Sequence, residues 1–359
     1  MLRYPVVLQS SENIIPLPAI YLLTFKISTP KSHCIMKLLP LVLLLFQFHT
    51  AYTQNFALKD SGSFTPQQKK VLLFQSTAGK PLILFKTDLM VNTDGIPTSY
   101  HPFDLRGDSI ALNTILNGAA IYRLKDNIRI SNPKKPNNFT KTERIAMQKE
   151  AYTAFEKYRD ANFDSMPAGY NIIWKNVLIA DPDGKPCVLK EGKYKGYFAS
   201  ATALKNDLTT NKGECDCNNQ VNPFEVPTLV LAGGNNIVKK FGAQVGDLLV
   251  AYNLSNGNFV YAVIGDSGPP DNLGEGSVAL NMQLVGTDKF PATRKQTYAL
   301  STGKNILVCI VPKSKAYKIQ KPYTKENVQE RISSWFSEQG LTAQNQIVDF
   351  LKLQQGRFK

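Results

Sequence analysis

The chain has 359 residues, of which 43% are hydrophobic and 19% charged, and its formal net charge is +14. This composition is typical of a folded globular protein, and the length allows one large β domain or about two average domains. No repeat of fixed period is visible, which excludes a solenoid or a propeller.

The first feature in chain order is an export signal. The segment MKLLPLVLLLFQFHTAYTQ, residues 36–54, begins with a Met and a Lys, continues with an apolar run and ends with small residues. This order is typical of a secretory signal peptide, and the apolar run is shorter than the roughly 20 residues that span a bilayer. We therefore predict an extension at 1–35 that precedes the true start, a signal peptide at 36–53, and a secreted protein, extracellular or periplasmic.

Most of the remaining chain has the pattern of short strands. Apolar or alternating runs such as PLILFKTDLMVN, GDLLVAYN and NFVYAVIGD are separated by turn sequences such as TDG, DPDG and SNGN. Such punctuation is typical of a β protein. The sequence predicts a mainly β core from about 75 to 315, within a single domain at 54–318.

Three helices interrupt or follow this pattern. A long amphipathic helix is predicted at about 142–163, and a C-terminal tail at 319–359 has two short ones. Thr142 is the expected N-cap of the long helix, and the expected buried faces are Ile145, Ala151, Phe155 and Tyr158 in the long helix and Ile332, Trp335 and Phe336 in the tail.

Four cysteines remain after the signal peptide: Cys187, Cys215, Cys217 and Cys309. An even number in an exported chain favours disulfides, and four cysteines allow three pairings. No metal site is expected, because the CDC sequence at 215–217 has no second close pair and His101 is the only mature His. No phosphate-binding loop, dinucleotide motif or serine-nucleophile elbow occurs, so no cofactor is expected.

The charge is unevenly distributed along the chain. No Lys or Arg occurs at 241–288 or at 87–105, where many acidic residues lie, while basic runs such as NPKKPNNFTK and VPKSKAYKIQK lie elsewhere. Binding of nucleic acid needs a concentrated basic surface, so this distribution argues against it. The acidic segments are predicted to form one patch on a basic body.

Two carboxylates stand out within VYAVIGDSGPPDNLGEGSVALN, residues 260–281. Asp266 ends an apolar strand, and Glu275 follows in a glycine-rich loop. Cleavage of a glycosidic bond needs one protonated carboxyl and one ionised carboxylate across a cleft, which such a pair could supply. An Asp that caps its own turn and a solvated Glu would give the same spacing.

The segment GDSGPPDNLGEGSVALN resembles the signature of the chitosanases of glycoside hydrolase family 75. LMVNTDGIPTSYHP, residues 89–102, is similar to that family's earlier Asp-Gly segment, although fungal members have an acidic residue and a Cys where this chain has Asn92 and Thr93. The similarity covers roughly residues 80–312. The resemblance implies a single barrel-like core of double-psi-like type with six strands, and an inverting hydrolase whose catalytic pair is Asp266 and Glu275.

The resemblance also implies the substrate, chitosan, a β-1,4-linked glucosamine polymer with a protonatable amine on each sugar. An acidic cleft would attract this cationic chain. We expect substrate contacts from five side chains: Asp94, Asp104, Asp247, Asp271 and Tyr100. Alternatives are a peptidoglycan-cleaving barrel similar to lytic transglycosylases and a non-catalytic carbohydrate-binding cell-wall protein.

Three expectations concern the geometry and roles of the pair. The carboxyl oxygens of Asp266 and Glu275 should lie roughly 6.5–9.5 Å apart, as inversion requires. Asp94 should share their groove. Glu275, followed by apolar SVALN, is expected to be the general acid, and Asp266, close to free backbone N–H groups, the base. The protein is expected to act as a monomer.

Overall fold

The computed structural model describes residues 55–133, 139–207, 215, 217 and 219–358. The predicted signal peptide and the extension before it lie outside these residues. The strands, in chain order, are β1 (Phe56–Phe64), β2 (Lys69–Ser76), β3 (Pro81–Thr87), β4 (Met90–Asn92), β5 (Ala119–Arg123), β6 (Ile128–Arg129), β7 (Tyr170–Trp174), β8 (Thr228–Ala232), β9 (Leu248–Asn253), β10 (Phe259–Gly268), β11 (Glu275–Ser277) and β12 (Ile306–Val311).

The α-helices that the structure describes are short except for three. Their bounds are Ile115–Gly118, Lys141–Asp160, Ile237–Lys240, Val278–Val285, Arg294–Tyr298, Lys325–Glu338 and Gln344–Gln354. Two 3₁₀ turns lie at Thr65–Gln67 and Gln355–Phe358. In the described part of the chain, no helix combines the length and the apolar character that a membrane crossing requires.

Nine strands form one sheet in the order β1-β2-β3-β12-β9-β10-β8-β11-β4, and β6-β5-β7 form a second, smaller sheet. Most neighbours are antiparallel, but β8 pairs with β10 in parallel and β11 pairs with β4 in parallel. The prediction of a mainly β protein is confirmed. The expected closed six-stranded barrel is not formed by the described strands, because β1 and β4 are the two edges of an open sheet.

Side chains rather than ladder hydrogen bonds bring the start of β2 against the loop before β11. Lys69 Nζ donates to the carbonyl oxygen of Leu273 at 2.6 Å. Gln67 donates from Nε2 to Asn272 Oδ1 at 2.9 Å and accepts from the Leu273 N–H at 2.8 Å. The sheet is therefore strongly curled.

The central strands are buried on both faces. Along β9, Leu248 and Val250 point into one hydrophobic cluster, while Leu249 and Ala251 point into another. Strands covered on both sides read as continuous apolar runs, as LLVAY does here. The first cluster contains the predicted docking residues of the C-terminal helices, Ile332, Trp335 and Phe336. That prediction is confirmed, and the helices Lys325–Glu338 and Gln344–Gln354 cover a face of the main sheet.

The long helix Lys141–Asp160 packs against the smaller sheet. Its N-cap is Thr140, not Thr142, because Thr140 and Glu143 form a reciprocal capping box. Ala151, Phe155 and Tyr158 are buried as predicted. Ile145 is 56% exposed, so its predicted place on the buried face is wrong.

One disulfide is formed, between Cys187 and Cys215. Cys309 lies in β12 at the centre of the core, where burial raises the pKa of its thiol. A second disulfide that included Cys309 would require this strand to leave the sheet. The expected disulfide chemistry is thus confined to the loop region around Cys187.

Candidate active site

Asp94, Asp266 and Glu275 line one groove of about 510 Å³. Asp94 belongs to the turn after β4, Asp266 to the end of β10, and Glu275 to the first position of β11. The prediction that Asp94 shares a groove with Asp266 and Glu275 is therefore confirmed. The other polar side chains that line it are Asn92, Asn113, Asn117, Arg129, Asn132, Lys175 and Tyr298.

Strand register places the two catalytic candidates opposite each other. β8 lies between β10 and β11, and its Val230 is the register partner of both Asp266 and Glu275. Neighbouring strands are about 4.8 Å apart, so the two Cα atoms lie about 9–10 Å apart across β8. The carboxyl separation of roughly 6.5–9.5 Å stays a prediction, with which this register is compatible.

Two glycines explain how the chain can place these carboxylates. The β8–β10 register shifts between Ile264 and Asp266, at Gly265, where a Cβ atom would lie 2.6 Å from Cβ of Thr228. Such an irregularity re-aims the next side chain. Gly274 has φ +149°, and a Cβ atom there would lie 2.4 Å from the carbonyl oxygen of Asp88. The glycine before each carboxylate is thus required by the close approach of neighbouring strands.

Asp266 is the carboxyl that holds its proton most strongly. Burial, followed by the negative charge of Asp94, raises its pKa to about 7. Its Oδ1 accepts hydrogen bonds from the N–H groups of Ala203 at 3.0 Å and Ser267 at 2.8 Å. These hydrogen bonds and the positive charge of Lys205 lower the pKa of Asp266, but by less than burial and the Asp94 charge raise it.

The carboxylate of Asp94 accepts hydrogen bonds from Tyr100 and Asn117. The Tyr100 hydroxyl donates to Asp94 Oδ1 at 2.5 Å, and Asn117 Nδ2 donates to the same oxygen at 3.3 Å. Burial raises the pKa of Asp94 to about 6, helped by the negative charge of Glu275 and opposed by the Tyr100 hydrogen bond and the charge of Lys175.

Glu275 is held by two amides. Asn272 Nδ2 donates to Oε1 at 2.7 Å, and Asn92 Nδ2 donates to Oε2 at 3.2 Å. Asn92 also accepts the N–H of Asp94 through Oδ1 at 2.7 Å, which ties the Asp94 turn to Glu275. Both oxygens of Glu275 therefore accept hydrogen bonds, the pattern of an ionised carboxylate.

Four of the predicted substrate contacts lie outside the groove. Asp104 accepts the N–H groups of residues 108–111, which lower its pKa against the effect of burial. Asp247 is fully buried and accepts three backbone N–H groups. Asp271 is exposed but does not line the groove. Tyr100 is fully buried beneath Asp94. Direct substrate contact stays a prediction for these four residues; in the structure, Asp104 and Asp247 organise turns and Tyr100 supports Asp94.

The groove also contains two cations that the sequence did not indicate. Arg129 comes from β6 and Lys175 follows β7, so both belong to the smaller sheet. Lys175 Nζ donates to the carbonyl oxygens of Leu116 and Asn117, each at 2.9 Å. The groove therefore combines acidic residues with two basic ones, although the segments around the acidic residues contain no Lys or Arg.

This arrangement is suited to acid–base chemistry. One carboxyl keeps its proton near neutral pH, and another carboxylate faces it from the far side of β8. Across the described residues, no cluster of His, Cys, Asp and Glu side chains is arranged as a metal site. No protein-family model matches the chain, and no curated protein is significantly similar to it.

Proposed function

We propose that the protein is a secreted, endo-acting glycoside hydrolase that cleaves the β-1,4-glucosamine bonds of chitosan by inversion. The observation that carries this proposal is the pair formed by Asp266 and Glu275, which share one groove and one register partner on β8. Inverting hydrolases need two carboxyl groups far enough apart to admit a water molecule. The resemblance of residues 265–281 to family 75 chitosanases supports the choice of substrate.

The environments favour Asp266 as general acid and Glu275 as general base, the reverse of the assignment made from sequence. Apolar SVALN was expected to desolvate Glu275, but Val278 and Leu280 point into hydrophobic clusters at the start of the helix Val278–Val285. Asp266 is the group that burial and a neighbouring charge keep protonated. A general acid needs this property near its working pH.

The reaction is a single displacement. Asp266 donates its proton to the glycosidic oxygen as the bond between that oxygen and C1 breaks. Glu275 removes a proton from a water molecule, whose oxygen forms the new bond to C1 on the opposite face. The new reducing end has the α configuration. Asp266 is left ionised and Glu275 protonated, and proton exchange with solvent restores both groups.

The charged side chains of the groove influence which sugars it would bind. The negative charges of Asp94 and Glu275 attract the ammonium groups of glucosamine, and the Lys175 ammonium is hydrogen-bonded to the carbonyl oxygens of residues 116 and 117. Arg129 Nε donates to the Ser131 carbonyl oxygen at 3.0 Å. Arg129 and Lys175 also favour a second candidate function, cleavage of a glycan with acetylated or anionic sugars, such as peptidoglycan.

A reducing-end assay on soluble chitosan and on purified peptidoglycan tests these alternatives. We expect the wild-type protein to cleave chitosan, and Asp266→Asn and Glu275→Gln to lower the rate by about 10²–10⁴-fold, the usual contribution of a general acid or base. Asp288→Asn, which changes an exposed carboxylate of the same acidic segment outside the groove, is the matched control and should keep the wild-type rate. Cleavage of peptidoglycan alone would establish the second candidate. Binding of chitosan without cleavage would indicate a non-catalytic protein.

An acid mutant and a base mutant differ in how they respond to the leaving group. A substrate with a good leaving group departs without protonation, so it should partly rescue Asp266→Asn but not Glu275→Gln. Rescue of Glu275→Gln alone would restore the assignment that the sequence suggested.

A further inference from the structure

Asp94 lines the groove, but it has no role in the proposed reaction. It sits at the end of a buried polar network. The hydroxyl of Tyr100 donates to Asp94 and accepts a hydrogen bond from Asn117 Nδ2 at 2.8 Å. Asn113 Nδ2 donates to Thr93 Oγ1 at 2.9 Å and approaches the Tyr100 hydroxyl at 3.5 Å. Rotation of the Asp94 side chain would break these bonds.

The charged and titratable groups around Asp94 come from several elements. Glu275 of β11, Lys175 after β7 and Tyr100 interact with Asp94, and Lys205 interacts with Asp266. Arg129 of β6 and Tyr298 line the same groove. Among these groups, Asp94 is the one whose negative charge acts to keep a proton on Asp266, and Lys205 acts in the opposite sense.

We infer that Asp94 is a positioning residue whose fixed negative charge keeps the proton on Asp266, and that the Tyr100 hydroxyl keeps Asp94 ionised. The Tyr100 hydroxyl has a donor in Asn117 and an acceptor in Asp94, so its proton is directed at the carboxylate. Since like charges close together cannot both form easily, an ionised Asp94 disfavours ionisation of Asp266. Both carboxyls line one groove, and Asp94 holds a fixed place there through its hydrogen bond from Tyr100.

This role replaces the interpretation of Asp94 as a ligand for the substrate amine. The coupling between the two carboxyls is a property of the free protein, whereas its use in catalysis rests on the proposed function. Its consequence for catalysis would be a basic limb of the pH–rate profile set by Asp266 and moved by changes at Asp94.

A carboxyl ¹³C NMR titration of protein labelled at Asp tests the coupling without any substrate. In the wild type, Asp266 should titrate near 7 and Asp94 near 6. Asp94→Asn should lower the pKa of Asp266. Tyr100→Phe keeps the carboxyl at position 94 but removes its donor, so the pKa of Asp94 should rise and that of Asp266 should fall. Asp271→Asn removes an exposed charge from the loop between β10 and β11 and should shift the pKa of neither Asp94 nor Asp266.

Opposite movements of the two carboxyls in Tyr100→Phe are not expected of a merely structural tyrosine. If Asp94→Asn does not fold, Tyr100→Phe still decides the matter. An Asp266 titration that is unchanged or shifted upward in a folded variant would overturn the inference. In activity assays, the rate at pH 7 relative to pH 5 should fall about fivefold for a decrease of one unit in the Asp266 pKa from its value of about 7. A shifted titration in a protein that does not cleave chitosan would refute the proposed function and leave the coupling intact.

Discussion

Replacing Asp266 by Asn should stabilise the folded protein above neutral pH while it removes the proposed general acid. Both backbone donors of Asp266, the N–H groups of Ala203 and Ser267, bond to Oδ1, which an amide oxygen can replace. Above pH 7 the wild-type protein must hold an ionised carboxylate in a desolvated site close to Asp94, whereas the variant holds a neutral amide.

The sign and size follow from the two pKa values. In the unfolded chain Asp266 ionises near its usual pKa of 3.8, and in the folded protein near 7. The folded state therefore binds more protons between these values, and the free energy of unfolding falls as pH rises through this window. About three pKa units correspond to about 4 kcal/mol. Solvent screening of a half-buried group reduces this figure, so we expect about 2 kcal/mol.

Guanidinium unfolding at pH 4 and pH 8 measures the effect. Asp266→Asn and wild type should be almost equally stable at pH 4, and the variant should be about 2 kcal/mol more stable at pH 8, with a Tm about 4 °C higher. Asp271→Asn is the exposed control and should show no such difference between the two pH values. If the stability gain of Asp266→Asn were the same at both pH values, the raised pKa would not be its cause.

Three further predictions concern residues that support the site. Asp104→Asn should lower the free energy of unfolding by about 1–3 kcal/mol at pH 7 in denaturant titrations, because both carboxylate oxygens accept N–H groups and the NH2 group of an amide would face at least one of these donors. Since the pKa of Asp104 is lowered on folding, this loss should shrink as pH falls through that pKa, and a constant loss would contradict the explanation. Gly265→Ala should cost about 1–3 kcal/mol and move Asp266, because the new Cβ would meet Thr228 at 2.6 Å; full chitosanase activity in this variant would show that the bulge does not position the acid. Trp335→Ala should destabilise the protein by about 3–5 kcal/mol in thermal melts, because Trp335 is 5% exposed and packs against Phe56 and Phe336; a near-neutral result would mean that the C-terminal helices are not part of the core.

The sequence predicted correctly those features that neighbouring residues in the chain reveal, such as apolar runs in buried strands. Runs such as LLVAY correctly predicted the central strands. The shared groove followed from a strand that ends in a carboxylate and a second carboxylate that returns from a loop. These features depend on neighbours in the chain, which a single sequence displays.

The remaining features depend on contacts between distant segments. Arg129 and Lys175 enter the groove from the smaller sheet, about 90 or more positions before Asp266 in the sequence, and no local pattern marks them. The proton on Asp266 is a consequence of burial and of the charge of Asp94, neither of which the turn sequence reveals. The open edges of the sheet and the pairing of Cys187 with Cys215 are likewise properties of the tertiary structure.

The most direct test of the central claim, that Asp266 and Glu275 hydrolyse glucosamine polymers by inversion, is proton NMR of the anomeric signals during cleavage of a glucosamine hexamer. The wild-type protein should release products whose new reducing ends are first α and reach the anomeric equilibrium only later, and Glu275→Gln should release almost none. First products with the β configuration would refute inversion. A wild-type protein that releases no new reducing ends, or a Glu275→Gln variant with the wild-type rate, would contradict the assignment of this groove as the active site.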